Sequence, residues 1–441
     1  MSEYVTVDDM AFCRECRAAK QKKMIECFSL PIVSFTMNIA GPVKRSGIIE
    51  WAFKCGLKCI CEKLSAQIVS FEITFDKTGC EALFSVNADA EQIKNEMMLI
   101  ETGHEFGRWF DIDVISPDGR KLSRSVSRQC FICGEPAAAC ARSRKHPVSE
   151  LIKKTEESFL NGFRSFIVKV TSAALTKEVN ITPKPGLVDR RNSGANDDMD
   201  ISTFELSIER ISPFFGEMAV KSYEHGFVSG ELVNELVKIG KAAENAMFNA
   251  THGVNTHKGA IFSIGLIVSA YAIMKAKDAQ CGSGFVDECL SLAGELAKAK
   301  AEDDCFSSNG AKVRRMFGIG GARDEAEAGY PIVKKAIAAK RTFQKKSPDP
   351  WTVALLRIMS ELDDNNVFKR GGSQGAVFVK NRAKELLSMG SALSDSDLEK
   401  FDDDLIKKNI SSGGCADMLA VAILIEDLEE FERVEILTSL G

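Results

Sequence analysis

The chain has 441 residues, room for two or three domains at about 150 residues each. Hydrophobic residues make up 45% and charged residues 27%, which excludes wholesale disorder. The formal net charge of -5 excludes non-specific binding to nucleic acid or an acidic membrane, both of which need a basic surplus.

Fourteen cysteines are too dilute in so long a chain for a disulfide framework. Residues 1–23 lack an apolar core followed by a small-residue cleavage site, so no secretory signal is expected. A cytoplasmic protein with reduced thiols is the expectation, with no membrane and no nucleic acid as partner.

In chain order, Ile68–Phe75 is β-branched and aromatic and predicts a strand, and Ala82–Val86 predicts a second. Asn87–Asp89 opens a helix with Ile93, Met97 and Ile100 on one face. Phe110–Ile115 predicts another strand, closed by the turn Ser116–Gly119. After Pro147 strand signals nearly vanish. Ser149 can cap a helix reaching Phe163, and helical periodicity recurs over Ser202–Phe215, Ser229–Thr251, Lys258–Lys277 and Phe285–Ala301. It returns over Asp349–Leu362, Phe378–Leu387, Ser396–Asn409 and Ala416–Leu428, with a capping box expected at Ser396 and Glu399. The charge-free run Gly259–Met274 is too short to span a bilayer and predicts a buried helix. The expected fold is therefore multidomain: an α+β N-terminal domain, residues 1–155, then an all-α domain, residues 160–441.

Three polar loops interrupt the helical half. Asn180–Asp200 is long and rich in charged and Asn side chains, and Asp363–Gly372 and Ile410–Asp417 are the other two. Connections that long inside a compact domain are more often functional than idle.

Asp111 and Asp113 share one face of their predicted strand, because side chains two apart point the same way. Such a pair grips Mg2+ for phosphoryl transfer or simply marks a solvated edge; neighbouring Arg108, Arg120 and Lys121 favour phosphates. Cys130, Cys133, Cys140 and His146 have a spacing that zinc could use, the alternative being small buried thiols. Lys184 lies between two prolines and is a candidate phosphate contact, with Asp189, Asp197, Asp198 and Asp200 following it. Asn255–Gly259 opens the charge-free helix, where backbone N–H groups and Lys258 attract anions; His257 is a candidate proton donor or a structural histidine. Asp364, Asn366, Arg370 and Asp417 complete a candidate Mg2+–polyphosphate pocket. No Walker loop, dinucleotide fingerprint, HExxH or GxSxG motif is present.

Together these motifs resemble two families joined in one chain. Ser34–Lys44, Gly107–Val114 and Cys130–His146 resemble the apo-citrate lyase phosphoribosyl-dephospho-CoA transferase family. Thr182–Asp189, Asn255–Gly259, Gly321–Glu325, Asp364–Gly372 and Gly413–Asp417 resemble the triphosphoribosyl-dephospho-CoA synthase family. The resemblance implies a bifunctional enzyme with a nucleotidyltransferase-like N-terminal domain. Its C-terminal half would join ATP and 3′-dephospho-CoA with release of adenine. Its N-terminal half would then transfer the phosphoribosyl-dephospho-CoA group to a serine of the apo-citrate lyase acyl-carrier (gamma) subunit, releasing pyrophosphate.

On this resemblance Asp111 and Asp113 would hold Mg2+, with Lys44 and Arg108 on phosphate. Lys184, Arg190, Lys258, Arg323, Asn366 and Arg370 would bind substrate phosphates. Asp189, Asp364 and Asp417 would serve metal or ribose, and His257 would act as acid. The chain departs from the synthase pattern at Asn196, where Gly-Ala-His is usual, and at Ser411-Ser412, where Ser-Pro is usual. A malonate decarboxylase carrier, or an N-terminal module that only docks the carrier, are the alternatives.

Overall fold

The computed structural model describes residues 4–124, 127–277, 284–299, 320–345 and 347–433. Its contacts group into two compact units, Met1–Phe163 with 275–280 and 431–441, and Arg164–Met274 with Cys281–Glu430. The junction lies inside one continuous helix, α5 (Val148–Asn180), where a join near residue 155 was expected.

The first unit starts with α1 (Val7–Phe28), closed at its N-terminus by a Thr6–Asp9 capping box. Then come β1 (Ile32–Met37), α2 (Gly47–Leu64), β2 (Ile68–Asp76), β3 (Gly79–Val86), α3 (Ala90–Gly103), β4 (Phe110–Ile115) and α4 (Ala137–Ser143). The strands form one antiparallel sheet in the order β2-β3-β1-β4. All three expected strands are present, and β1 is added between them.

Alternation along the strands gives the sheet two unlike faces. Phe35, Phe84, Phe110 and Ile112 point to an apolar face, where Phe35 stacks on Phe53 of α2 at 4.6 Å. Gly56 permits this approach, since a Cβ there would lie 2.6 Å from the Phe35 ring. The opposite face carries Ser34, Thr36, Glu81, Asp111 and Asp113. There α1 is held by polar contacts: Arg17 to Glu81 at 2.8 Å, Lys20 to Glu72 at 2.5 Å and Gln21 to Ser34 at 2.9 Å. Met24, packed on Ile32, Leu83 and Ile115 with the half-buried Ile25 beside it, adds the apolar contact from α1.

Among its described residues the second unit has helices and loops and no strand. It contains α6 (Ile201–His225), α7 (Gly230–Ala250), α8 (Lys258–Ala276), α9 (Phe285–Lys298), α10 (Ala322–Glu327) and α11 (Pro331–Thr342), then α12 (Pro350–Glu361), α13 (Asn365–Ser388), α14 (Asp395–Lys407) and α15 (Gly413–Glu432). By length and composition α8 could cross a membrane, yet 83% of its most apolar window is buried within the protein.

Two of the expected polar loops are corrected. Residues 365–372 are helical, and α13 runs through them with a break at Gly372, whose φ is 59°. The helix expected from Ala416 already starts at Gly413, inside the loop expected over Ile410–Asp417, so Asp417 lies in the first turns of α15. The capping box expected at Ser396 sits two residues earlier, at Ser394 and Asp397.

Candidate active sites

In the second unit five separated motifs pack together, and their glycines are the reason they fit. A Cβ on Gly259, in the first turn of α8, would lie 1.9 Å from Asp417 Oδ2. One on Gly414 would lie 3.0 Å from Asp364 Oδ2, one on Gly413 2.6 Å from Asn366 Nδ2, and one on Gly321 2.5 Å from Asn365 Nδ2. Gly186 of the long loop meets the carbonyl of Ile410 in the same way, at 2.8 Å. The N-terminal turns of α8, α13 and α15 are thus brought together with the Asn180–Asp200 loop, concentrating outward-facing backbone N–H groups.

The long loop is buried at residue 181 and over residues 183–189 despite its polarity. Asp189 explains how: its carboxylate accepts from the backbone N–H groups of Lys184, Arg191 and Asn192 at 2.8, 2.7 and 3.1 Å. Asp402 of α14 accepts from Gly186 N–H and Asn192 Nδ2, both at 2.8 Å, and pairs with Arg191. Arg370 ties α13 to the loop through the Ala195 carbonyl and through Asn196 Oδ1 at 2.8 Å. Asn196, where the family pattern has histidine, is therefore an acceptor for Arg370.

Lys184 is buried, with Nζ 2.6 Å from Glu178 Oε1 and 3.0 Å from the Glu178 carbonyl. Lys258 pairs with Glu244 at 2.6 Å and Arg323 with Glu327 at 3.0 Å, while the Arg190 side chain is exposed. Glu178, Glu244 and Asp402 are partners that sequence reasoning missed, since nothing in their spacing marks them.

Asp364 is the N-cap of α13: Oδ1 accepts from Asn366 N–H at 2.7 Å, and Oδ2 from Cys415 N–H at 2.8 Å. Burial raises its pKa, and those N–H groups oppose the rise. Asp417 is raised well above the ordinary carboxylate value, first by burial and then by the charges of Asp364 and Glu178. Ala260 N–H is the opposing hydrogen bond.

His257 is buried, with Nδ1 2.7 Å from Ser207 Oγ, while Nε2 has no hydrogen-bond partner among the described residues. Burial first, and the Lys184 charge second, push its pKa down to about 3. The ring is therefore neutral near pH 7, and an acid role for it would have to use the neutral N–H. An open groove of about 660 Å3 lies between α5 and α6; Asn180 lines it, but Lys184, Asp189, His257, Asp364 and Asp417 do not.

In the first unit Asp111 and Asp113 lie side by side on the polar face of β4, opposite Thr36 and Ser34. Arg128 Nη2 is 3.3 Å from Asp111, 2.6 Å from Glu101 and 2.7 Å from the Phe110 carbonyl. Lys121 pairs with Asp113 at 2.5 Å, and Arg124 also reaches Glu101. Arg108 donates through Nε to the Gln129 carbonyl, and burial lowers its pKa, with Arg128 and Arg124 adding to the drop. A carboxylate pair flanked by cations suits a polyanion carrying a hard metal ion. Lys44 instead donates to the Ile39 carbonyl, and burial lowers its pKa.

Cys130, Cys133, Cys140 and His146 converge so that their ligand atoms lie within 4.8 Å of one another, which gives the unit a candidate metal centre. The Cys133 thiol is held down to about 6, first by the Glu135 N–H and then by His146, and burial raises Cys140 to about 11.

Comparison with known proteins matches both halves to described families. Residues 5–161 fit the profile of apo-citrate lyase phosphoribosyl-dephospho-CoA transferase, and residues 164–435 that of ATP:dephospho-CoA triphosphoribosyl transferase. "Protein CitXG" of Haemophilus influenzae is 32% identical over 450 aligned positions, covering 95% of each chain. The chain belongs to the fused CitXG family. A second "Protein CitXG", from Leuconostoc mesenteroides, is 28% identical over 94% of this chain and 95% of that one. The 2-(5″-triphosphoribosyl)-3′-dephosphocoenzyme-A synthase of Klebsiella pneumoniae is 37% identical over 58% of this chain and 88% of its own. As a CitXG member the protein is a bifunctional transferase in the synthesis of the citrate lyase prosthetic group.

Proposed function

We propose that the second unit joins ATP to 3′-dephospho-CoA and that the first attaches the product to the citrate lyase acyl carrier in the cytoplasm. The observation carrying the first step is the packing of Asp417 into the space left by Gly259, at the meeting of three helix N-termini. The 2′-hydroxyl of dephospho-CoA attacks the ribose C1′ of ATP, the C1′–N9 bond breaks, and adenine leaves with a proton. Backbone N–H groups at the helix starts bind triphosphate oxygens, and Lys258, Arg190 and Arg323 add charge at the rim. Asp364 and Asp189 shape the site by accepting backbone N–H groups. The carboxyl of Asp417 and Nε2 of His257 are the groups left to meet ribose, hydroxyl or adenine.

In the first unit the carrier serine oxygen attacks the α-phosphorus, its hydroxyl proton passes to solvent, and the bond to pyrophosphate breaks. This is nucleotidyl-transfer chemistry, and the Asp111/Asp113 pair, with Arg128 on Asp111 and Lys121 on Asp113, supports it. Mg2+ suits the oxygen donors of Asp111 and Asp113, and when bound it neutralises charge on the departing pyrophosphate. Arg128, already placed on Asp111, orients that carboxylate and meets the phosphates. The apo-citrate lyase family match favours this carrier over that of malonate decarboxylase.

The test is to incubate the protein with ATP, dephospho-CoA, Mg2+ and apo-carrier, following adenine release and carrier mass. The expected result is stoichiometric adenine and a carrier heavier by one phosphoribosyl-dephospho-CoA group. Adenine release without carrier modification would limit the proposal to the second unit.

A further inference from the structure

Residues 127–147 have almost no interior. Among them only Cys130 and Cys140 are buried, and the short α4 is their one regular element. A segment that cannot bury an apolar core needs a cross-link to hold one shape. Its backbone is nonetheless tightly folded into a knuckle: Cys130 N–H donates to the Glu135 carbonyl at 2.6 Å, and Gly134 N–H to the Cys130 carbonyl at 2.8 Å. Gly134 turns there with φ at +75°. The far side closes when Lys145 N–H donates to the Cys140 carbonyl at 3.1 Å.

All four ligand atoms lie within 4.8 Å of one another, and two of their separations come within about 0.3 Å of those around a tetrahedral ion. Cys133 Sγ lies 3.5 Å from Cys140 Sγ and 3.3 Å from His146 Nε2. Zinc bonds of ~2.3 Å to sulfur and ~2.0–2.1 Å to nitrogen place tetrahedral ligands ~3.5–3.8 Å apart. His146 presents Nε2 to the thiols, while its Nδ1 faces Glu150 Oε2 at 3.6 Å. A carboxylate behind the imidazole is the usual support for a metal-bound histidine. Three thiolates and one imidazole fill four positions and leave none open, the donor set of a structural zinc site.

We propose that Cys130, Cys133, Cys140 and His146 hold one structural Zn2+ ion, and that this ion sets the position of Arg128 beside Asp111 and of Arg108 against the knuckle backbone. On binding, the three cysteines coordinate as thiolates, any remaining thiol proton passing to solvent, and the imidazole binds neutral. The link to the arginines runs through the knuckle's own backbone. Arg108 Nε donates to the carbonyl of Gln129, next to Cys130. The Arg128 carbonyl accepts from Ala137 N–H at 2.8 Å, which fixes Arg128 across the strand-like pairing of Gln129 with Pro136. Trp109 joins the same region, its ring 5.1 Å from Phe131. This link to transfer rests on the proposed role of Asp111 and Asp113, whereas the metal content does not.

Full-length protein purified without chelator is analysed for metals and then exchanged with Co2+. One zinc per chain is expected, with thiolate-to-cobalt charge transfer and tetrahedral d–d bands after exchange. His146→Cys, which keeps four ligands, retains the ion, whereas Cys130→Ser loses it. Native alkylation mapped by peptide mass should spare Cys130, Cys133 and Cys140 only while metal is bound. Metal removal should lower carrier modification from supplied triphosphoribosyl-dephospho-CoA roughly 10–100-fold, and leave adenine release by the second unit unchanged. Absence of zinc together with absence of cobalt bands would overturn the site, as would iron or a Cys133–Cys140 disulfide in its place. Bound zinc whose removal leaves carrier modification intact would overturn the positioning role alone. Failure of the Asp111/Asp113 reading shows separately, as normal transfer by zinc-loaded Asp111→Asn.

Discussion

Gly259 shows how a single missing side chain can define a site. Asp417 occupies the place where a Cβ would stand, 1.9 Å from Oδ2, so Gly259→Ala must push the carboxylate aside. Misplacing a reacting group by about 1 Å costs roughly 10²-fold in rate. Adenine release by Gly259→Ala should fall by that order, with carrier modification from supplied intermediate unchanged; near-normal release would show that the placement of Asp417 is immaterial. Asp417 itself should cost the fold something at neutral pH. Its folded pKa is raised above 3.8, so its contribution to stability is present below that value and lost as pH rises. Asp417→Asn should therefore melt no lower than the parent at pH 7 while losing adenine release by roughly 10²-fold or more. His257 has the opposite sign. Its pKa falls from 6.5 to about 3 on folding, so the unfolded chain binds the extra proton between those values. Denaturant midpoints should drop as pH falls from 6.5 towards 3, and His257→Leu should show a shallower drop. These residues were legible as motifs, but their relations were not. Glu178 beneath Lys184 and Ser207 beside His257 lie at distances in sequence that no pattern rule connects.

Elements were legible where apolar periodicity governs packing and misread where polar contacts do. β2, β3, β4 and α3 follow from alternation and from the Asp89 cap. Helix α1 escapes that reading because it lies on the polar sheet face through Arg17, Lys20 and Gln21, leaving little apolar stripe to find. The start of α13 reads as a loop because Asn365, Asn366, Gly371 and Gly372 disfavour helix, yet the Asp364 cap and packing against Gly413 and Gly321 override propensity. The end of α15 carries a contact of another kind, also invisible in sequence. Glu432, assigned with the first unit, is buried between Lys54 at 2.5 Å and Lys275 at 2.6 Å. Removing the carboxylate leaves two buried ammonium groups facing each other. Glu432→Ala should destabilise the first unit by about 3–5 kcal/mol, the scale for breaking a buried pair, read as an earlier urea transition. Although burial opposes it, the two lysines hold Glu432 down to about 2 from 4.5. That stabilisation is complete above pH 4.5 and is lost as pH falls towards 2, so the variant's deficit should shrink with acidification.

At the scale of the whole molecule, each candidate site is built from residues of one unit. Asp111, Asp113 and the arginines fall within Met1–Phe163, and the residues around Asp417 within Arg164–Met274 and Cys281–Glu430. The two sets of described residues have no member in common, so complementation between variants can be tested in the test tube. Asp111→Asn should release adenine normally and leave the carrier unmodified, while Asp417→Asn should modify the carrier only when given the finished intermediate. Mixed together with ATP, dephospho-CoA, Mg2+ and apo-carrier, the two variants should restore modification, because the product of one is the substrate of the other. The restored rate should rise with enzyme concentration after a lag in which the intermediate accumulates in solution. The carrier's mass, followed over time at several enzyme concentrations, reads this directly. A mixture that stays inactive, while each variant performs its own half-reaction, would mean that the intermediate passes between sites without entering solvent.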